Sequence, residues 1–473
     1  MLEKLKKIAL SIVDIPADFK LVIEDYSEGG DGSGEAFFSW ANEKEEGIAL
    51  TLDSKGHLKS LAVEKAAKDP AASPVTYEEA RARAEQFLQK HYPDALQTFS
   101  LEKTEERKDG CTFSFRQIEH GAPVENSGCF IRVNAGGEIT DFAYYGIKKV
   151  PDWPGELIAK EKLLNDLKTK MKFSLTIARM DPYFYDVDEA GLRLVYAPHP
   201  HFIRYKADGP EPVLLSEMEE IQEKYVPLPP IPAKGREQTS TPEELIGITE
   251  TMEKLREVDL GETTGIVWRD RNWQKGDHDL SLESFLEDRT AGTVKAKFSK
   301  QTGELQGFIW FQERTGPLNL DRPACYEKAV EFLHQVIPDL YPYLQLEAGE
   351  DEWYGGDGKE FFQFRVVSSR GIPVETGSVV VAVNRTTGLI DQYMGPELDV
   401  KDLYNVPLEP AVSEEKAKEM YFSNLDFRLK WAVDYDEEEG SCRLIYEACH
   451  RGTGTAVHYI DAVTGELITA RES

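Results

Sequence analysis

Phe113-Ser-Phe-Arg116, Gly121-Ala-Pro-Val-Glu125 and Cys129-Phe-Ile-Arg-Val-Asn134 return in the same order as Phe362-Gln-Phe-Arg365, Gly371-Ile-Pro-Val-Glu375 and Val379-Val-Val-Ala-Val-Asn384. The copies lie roughly 250 residues apart, and self-similarity at one spacing marks a duplicated structural unit. Each copy reads as strand, turn, strand. Phe113 and Phe115 alternate with polar neighbours, so they share one face of a strand. Gly121 permits positive φ and Pro123 fixes the return strand.

Working outward, a helix precedes each copy. Thr76-Tyr-Glu-Glu79 is a capping box, followed by Ala80, Ala84, Phe87 and Leu88 at helical spacing. The partner helix spans Ala324 to Leu333. Pro93 and Pro338 end these helices, since proline cannot continue one. Hairpins flank the motif upstream: Ile48-Ala-Leu-Thr-Leu52 with Leu58 to Val63, and Val294-Lys-Ala-Lys-Phe298 with Leu305 to Trp310. Downstream, a helix from about Ala159 to Lys172 precedes Tyr183 to Asp188, which is matched with Leu429 to Tyr435. Helices followed by runs of strands predict an α+β fold; the short turns between strands leave no room for parallel crossovers.

The clearest boundary is Val226-Pro-Leu-Pro-Pro-Ile-Pro-Ala-Lys-Gly235, whose prolines favour an extended spacer. A capping box at Thr241-Pro-Glu-Glu244 opens the second half. The expected halves are therefore 1–225 and 241–473, joined by a linker at 226–240. Each half is expected to hold three units, at about 1–70, 74–150 and 155–220, then 241–312, 317–398 and 409–473.

The 473 residues carry a formal net charge of -30, with 41% hydrophobic and 30% charged residues. This is a globular composition that repels nucleic acid and anionic membrane surfaces. The apolar run from Ile8 to Val13 is too short for a signal peptide, and no segment approaches a membrane span. The Cys count of 5 is odd and unevenly placed, which argues against a disulfide framework. The expectation is a soluble cytoplasmic protein.

The helix, aromatic strand, Gly-x-Pro-Val, β-branched strand, Asn and Gly-containing turn together resemble PepSY-type modules. They are most similar to the YcdB/YcdC repeated-domain proteins of Gram-positive bacteria, and they resemble the propeptides of thermolysin-type metallopeptidases. The resemblance is strongest at 74–146 and 317–395. It implies a binding or regulatory module, with a peptidase as one implied partner class, and it does not imply catalysis. Where such propeptides carry an aromatic residue and Gly after Pro-Val, this chain has Glu125-Asn126 and Glu375-Thr376. No His-Glu-x-x-His, Gly-x-Ser-x-Gly, phosphate-binding loop or dinucleotide fingerprint is present.

Arg116 and Glu125, repeated as Arg365 and Glu375, flank the turn and are expected to form exposed cross-strand ion pairs. They are the candidate binding residues, together with Trp153 and Trp353 at unit junctions, where aromatics either line a groove or plug a joint. His199-Pro-His201 has the spacing of a metal pair, but the intervening proline reads as a loop. Asp186-Val-Asp188 lacks the later ligands of a calcium loop. Cys129 and Cys442 stand where other copies carry Val379 and Leu192, so they read as core. No catalytic residue, metal ligand or cofactor is assigned. The leading expectation is a non-enzymatic protein that binds a protein or peptide partner through sheet edges or the groove between halves. The alternatives are a hydrolase with a carboxylate site between the halves and a structural, self-associating protein.

Overall fold

The computed structural model describes residues 1–29, 33–44, 46–65, 74–201, 203–209, 225–230, 241–274, 279–348, 358–433 and 441–471. The fold is α+β, with antiparallel sheets and two repeated regions. Among the described residues nine strands form the first sheet. Eight run in the order Lys20–Glu28, Gly34–Ala41, Gly47–Asp53, Leu58–Glu64, Ile139–Gly146, Gly128–Asn134, Gly110–Glu119, Phe99–Arg107. The short Ala122–Pro123 strand pairs beside Gly110–Glu119. Two four-stranded units thus join edge to edge, through Leu61 opposite Phe142.

Alternation decides which face is covered. Along Gly34–Ala41, Ala36, Phe38 and Trp40 are buried while the residues between them are not. The Leu2–Ile12 and Tyr77–His91 helices lie on that face, and Leu5, Ala9, Ala80, Ala84 and Leu88 pack with Phe38, Leu50, Phe113 and Phe142. The expected capping box is formed: Glu79 N donates to the Thr76 hydroxyl and Thr76 N to the Glu79 carboxylate.

The second half repeats this order as Met252–Asp259, Thr263–Asp270, Thr293–Ser299, Leu305–Trp310, Ile390–Met394, Pro373–Asn384, Lys359–Val367, Leu344–Glu347. The Arg322–Val336 helix buries Cys325, Ala329, Phe332 and Leu333 against it. The capping box at Thr241 opens only a short helix, Pro242–Ile246, because Gly247 turns left-handed at φ 84. A further helix, Leu282–Thr290, lies between the second and third strands. Its approach covers the outermost strand of the first sheet: Glu24 N donates to Leu280 O (2.7 Å) and Leu282 N to Asp25 Oδ2 (2.9 Å).

The third units interlock. Lys172–Met180 and Gly191–His199 form a hairpin in the first half, and Leu425–Val433 and Cys442–His450 form one in the second. The strand that follows each hairpin crosses to the other. Arg204–Lys206 pairs with Cys442–His450, and Val457–Asp461 pairs with Gly191–His199. The registers match: Tyr446 faces Tyr205 as Tyr196 faces Ile460. They also correct one expectation. The partner of Leu425–Val433 is Lys172–Met180, not 183–188, which lies in the connection between strands, with Tyr183 and Phe184 exposed.

Candidate functional site

The repeated Gly-x-Pro-Val-Glu segments are where each half meets a third unit of the other. In the first copy Gly121 turns at φ 80, and Ile118 opposite Pro123 brings the chain straight back. Val124 then bridges in parallel to Trp431, and Glu125 N donates to Trp431 O at 2.7 Å. In the second copy Gly371 turns at φ 76 and Val374 bridges in parallel to Ile177. The Thr176 hydroxyl donates to Pro373 O at 3.0 Å. Gly128 closes the first loop at φ 82; a Cβ there would sit 1.9 Å from Phe115 O.

The two glutamates reach equivalent places with different company. Glu125 accepts from Arg204 Nη2 at 2.9 Å and faces Lys430 Nζ at 3.4 Å. Arg204 and Lys430 also bind Glu447, at 3.1 and 2.5 Å, and Arg428 completes the network at 2.8 Å. Burial pushes the Glu447 carboxyl up, but Lys430 and Arg428 outweigh it and hold the group below its ordinary value. Glu375 instead accepts from the Tyr459 hydroxyl at 2.5 Å. Burial and then that hydrogen bond push the Tyr459 phenol far up. His199, His201 and His458 gather beside Glu375; burial lowers His199 and His458 while the Glu375 charge pulls them back up. Ser174 Oγ lies 2.7 Å from His199 Nε2, and the His199 and His201 rings meet edge to face at 4.7 Å. Among the described residues no three His, Cys, Asp or Glu side chains converge to hold a metal ion.

The expected Arg–Glu pairs across the turn do not form. Arg116 points to the outer strand, where Nε donates to Glu102 Oε2 at 2.7 Å, while Glu125 is carried past the turn to Trp431. Likewise Arg365 donates to Gln345 Oε1 at 3.1 and 2.9 Å, away from Glu375. Trp153 joins the first junction, edge to face with Trp431 at 6.1 Å and beside His120 at 5.7 Å. Trp353 and the acidic stretch Asp434 to Gly440 lie outside the described residues. Cys129 and Cys442 are buried, and burial pushes the Cys129 thiol up to about 12.

A third feature went unread in the sequence. The first residues of the proline-rich linker form a strand, Tyr225–Pro227, on the outer edge of Leu344–Glu347. Leu228 N donates to Leu344 O (3.5 Å), and the Tyr341 hydroxyl donates to Pro229 O (3.0 Å). Opposed residues in antiparallel strands alternate between bonded and non-bonded pairs. Pro227, opposite Gln345, therefore occupies a non-bonded position where its missing N–H costs nothing. The Arg365 guanidinium stacks 3.2 Å above the Tyr225 ring. Prolines beside Tyr225 and the β-branched Val226 were a signal for an edge strand.

An open cleft of about 1750 Å³ is lined by the second sheet, the 179–190 segment and residues 336–340 and 395–402, with Arg179, Lys295 and Lys297 beside Asp181, Glu304 and Asp399 on its walls. Carboxylates whose ionisation is displaced among the described residues, Asp53, Glu79 and Glu447 among them, are displaced downward, opposite to a general acid. No described helix is long and apolar enough to cross a membrane.

A sequence model of the YcdB, YcdC repeated domain matches residues 2–146 and 236–397, more than half of the chain. These spans cover the eight-strand run of each large sheet and omit the strands of the interlocked third units. The uncharacterized protein YcdB of Bacillus subtilis (strain 168) is 32% identical over 479 residues, 98% of this chain and 97% of that protein. The uncharacterized protein YcdC of the same organism is 30% identical over 464 residues, 97% of this chain and 98% of its own. Among solved structures, the Bacillus megaterium YpeB C-terminal domain aligns with 45% of this chain and 95% of its own, at 14% identity. The TM-score of that alignment is 0.28.

Proposed function

The chain belongs to the YcdB/YcdC repeated-domain family, and from that premise we propose that it is a non-enzymatic binding or regulatory protein that engages an extended segment of a protein or peptide partner. One observation carries the reading: the second sheet already receives an extended segment, Tyr225–Pro227, as an added strand on its edge. Backbone hydrogen bonds supply affinity in such strand addition, and side-chain pockets supply selectivity. Of the nominated residues, Arg116 and Arg365 stand one strand in from the receiving edges; Arg365 already stacks on the chain's own Tyr225, so Arg116 is the proposed contact residue for a partner. Glu125, Glu375 and Trp153 are proposed to orient the halves on either side. The repeated units are proposed as 1–225 and 241–473 around the 226–240 linker. A peptidase is the partner class that the resemblance implies. The five cysteines are free, which supports a reducing, cytoplasmic setting as part of the same proposal.

The test is selection of random linear peptides displayed on phage against the full chain. Enrichment of extended sequences that bind in solution supports the reading. Failure to enrich any peptide, with self-association in sedimentation instead, overturns it in favour of a structural protein.

A further inference from the structure

The register makes the outer strands of the two sheets equivalent residue by residue. Leu344, Gln345 and Leu346 face Val366, Arg365 and Phe364, as Phe99, Ser100 and Leu101 face Gln117, Arg116 and Phe115. Arg116 is thus the counterpart of Arg365. Tyr225–Pro227 fills the outer edge of Leu344–Glu347, whereas among the described residues no strand pairs with the outer edge of Phe99–Arg107. In place of a tyrosine ring, Arg116 holds the carboxylate of Glu102, itself about one third exposed.

We propose that the Phe99–Leu101 edge is a second strand-receiving site, which takes an aromatic–x–Pro–apolar segment of a partner protein with its aromatic ring on Arg116. The inference rests on the proposed binding function and names the ligand class and the site. Its chemistry is shown within the chain. On the second sheet an aromatic side chain covers the guanidinium, and the proline sits where no donor is needed. By the same register, the Phe99 carbonyl and the Leu101 peptide group point outward, as those of Leu344 and Leu346 do, while the Phe99 N–H donates to Ala95 O as the Leu344 N–H does to Tyr341 O. A second copy is the weaker candidate, because each chain's own Tyr225–Pro227 is already engaged within that chain. The bulge between Leu101 and Lys103 limits the receiving run to the first residues of the strand, a short site for a short motif.

The experiment uses the full chain and a fluorescein-labelled peptide with the sequence of residues 225–230, followed by anisotropy. Binding is expected, weakened about tenfold by Arg116→Ala and by Tyr→Ala in the peptide. Glu102→Ala, which frees Arg116, is expected to tighten it, and Arg365→Ala to leave it unchanged. The Arg116 and Glu102 side chains are partly exposed, so these variants fold. No binding at millimolar peptide overturns the proposal. So does a loss that follows Arg365→Ala rather than Arg116→Ala, which would mean displacement of the internal segment. Dimerisation of the chain abolished by Arg116→Ala would make the occupant a second copy and overturn the partner assignment. Phage-selected peptides that bind the Arg116→Ala variant equally well would sink this inference while leaving the binding reading intact.

Discussion

The two junctions are built on one plan from different chemistry. At each, a Gly-x-Pro-Val-Glu segment bridges in parallel to a third-unit strand, at Trp431 or at Ile177. By register Lys430 corresponds to Thr176, Glu447 to Ala197, and Arg204 to Tyr459. The first junction is therefore an ion network, and the second sets the Glu375 carboxylate among hydroxyl and imidazole groups. The backbone docking is common to both, so the shared motif serves assembly, and each glutamate is free to acquire its own partners. Duplication preserved the joint and let the side chains around it diverge.

The comparison breaks most easily at its apolar centre. Trp431 is fully buried, and Trp431→Ala is expected to cost about 3–5 kcal/mol in denaturant unfolding, with Ile177→Ala toward the lower end of about 2–5 kcal/mol. Equal losses would mean that the indole adds nothing beyond an aliphatic plug. Next comes the loop glycine. Gly128→Ala combines left-handed backbone with a clash on Phe115 O and is expected to cost about 2–4 kcal/mol. Gly377→Ala meets the Val366 side chain at 2.8 Å without that backbone strain, so its midpoint shifts less.

The glutamates sharpen the contrast. Glu125→Gln is expected to cost about 1–3 kcal/mol, since it leaves Arg204 and Lys430 less compensated, and the cost should shrink at high salt. Glu375→Gln keeps an acceptor for Tyr459 and should cost under about 1 kcal/mol, independent of salt. Equal salt dependence in the two variants would remove the distinction between junctions.

Acidity gives the smallest effect. His199 and His458 titrate below their ordinary value, so their neutral forms stabilise the fold above that value, and the contribution is lost as pH falls through it. Glu447 is also held low, but its contribution persists until the pH falls into and below the carboxylate range. Between pH 7 and 5 only the second junction should weaken. His458→Gln should therefore flatten the fall in melting temperature over that window, His91, His199 and His201 being common to both proteins. An unchanged slope would place the titration elsewhere.

The strands, the turn and the duplication were legible because they depend on local properties: alternation, left-handed glycine and proline. Gly121 and Gly371 adopt the positive φ that their turns require. The partners of Glu125 were not legible. Arg204 and Lys430 lie far along the chain, and the strand exchange that brings them in leaves no periodic mark in sequence. The expected Arg116–Glu125 pair failed for the same reason: adjacency across a turn says nothing about which neighbouring element captures each side chain. The Tyr225 strand shows a different limit, since proline-rich composition reads as a spacer until an edge is available to receive it.

The exchange of strands between third units also dictates an order of events during synthesis. Gly191–His199 gains its outer neighbour only when Val457–Asp461 has left the ribosome, and Cys442–His450 needs a strand made far earlier. The eight-strand run of each large sheet can form as it emerges, from contiguous chain. The interlock between them waits for Val457–Asp461, so a nascent chain must carry Arg204–Lys206 without its sheet neighbour while the second half is translated. Such long-range pairing is slow and exposes edges meanwhile.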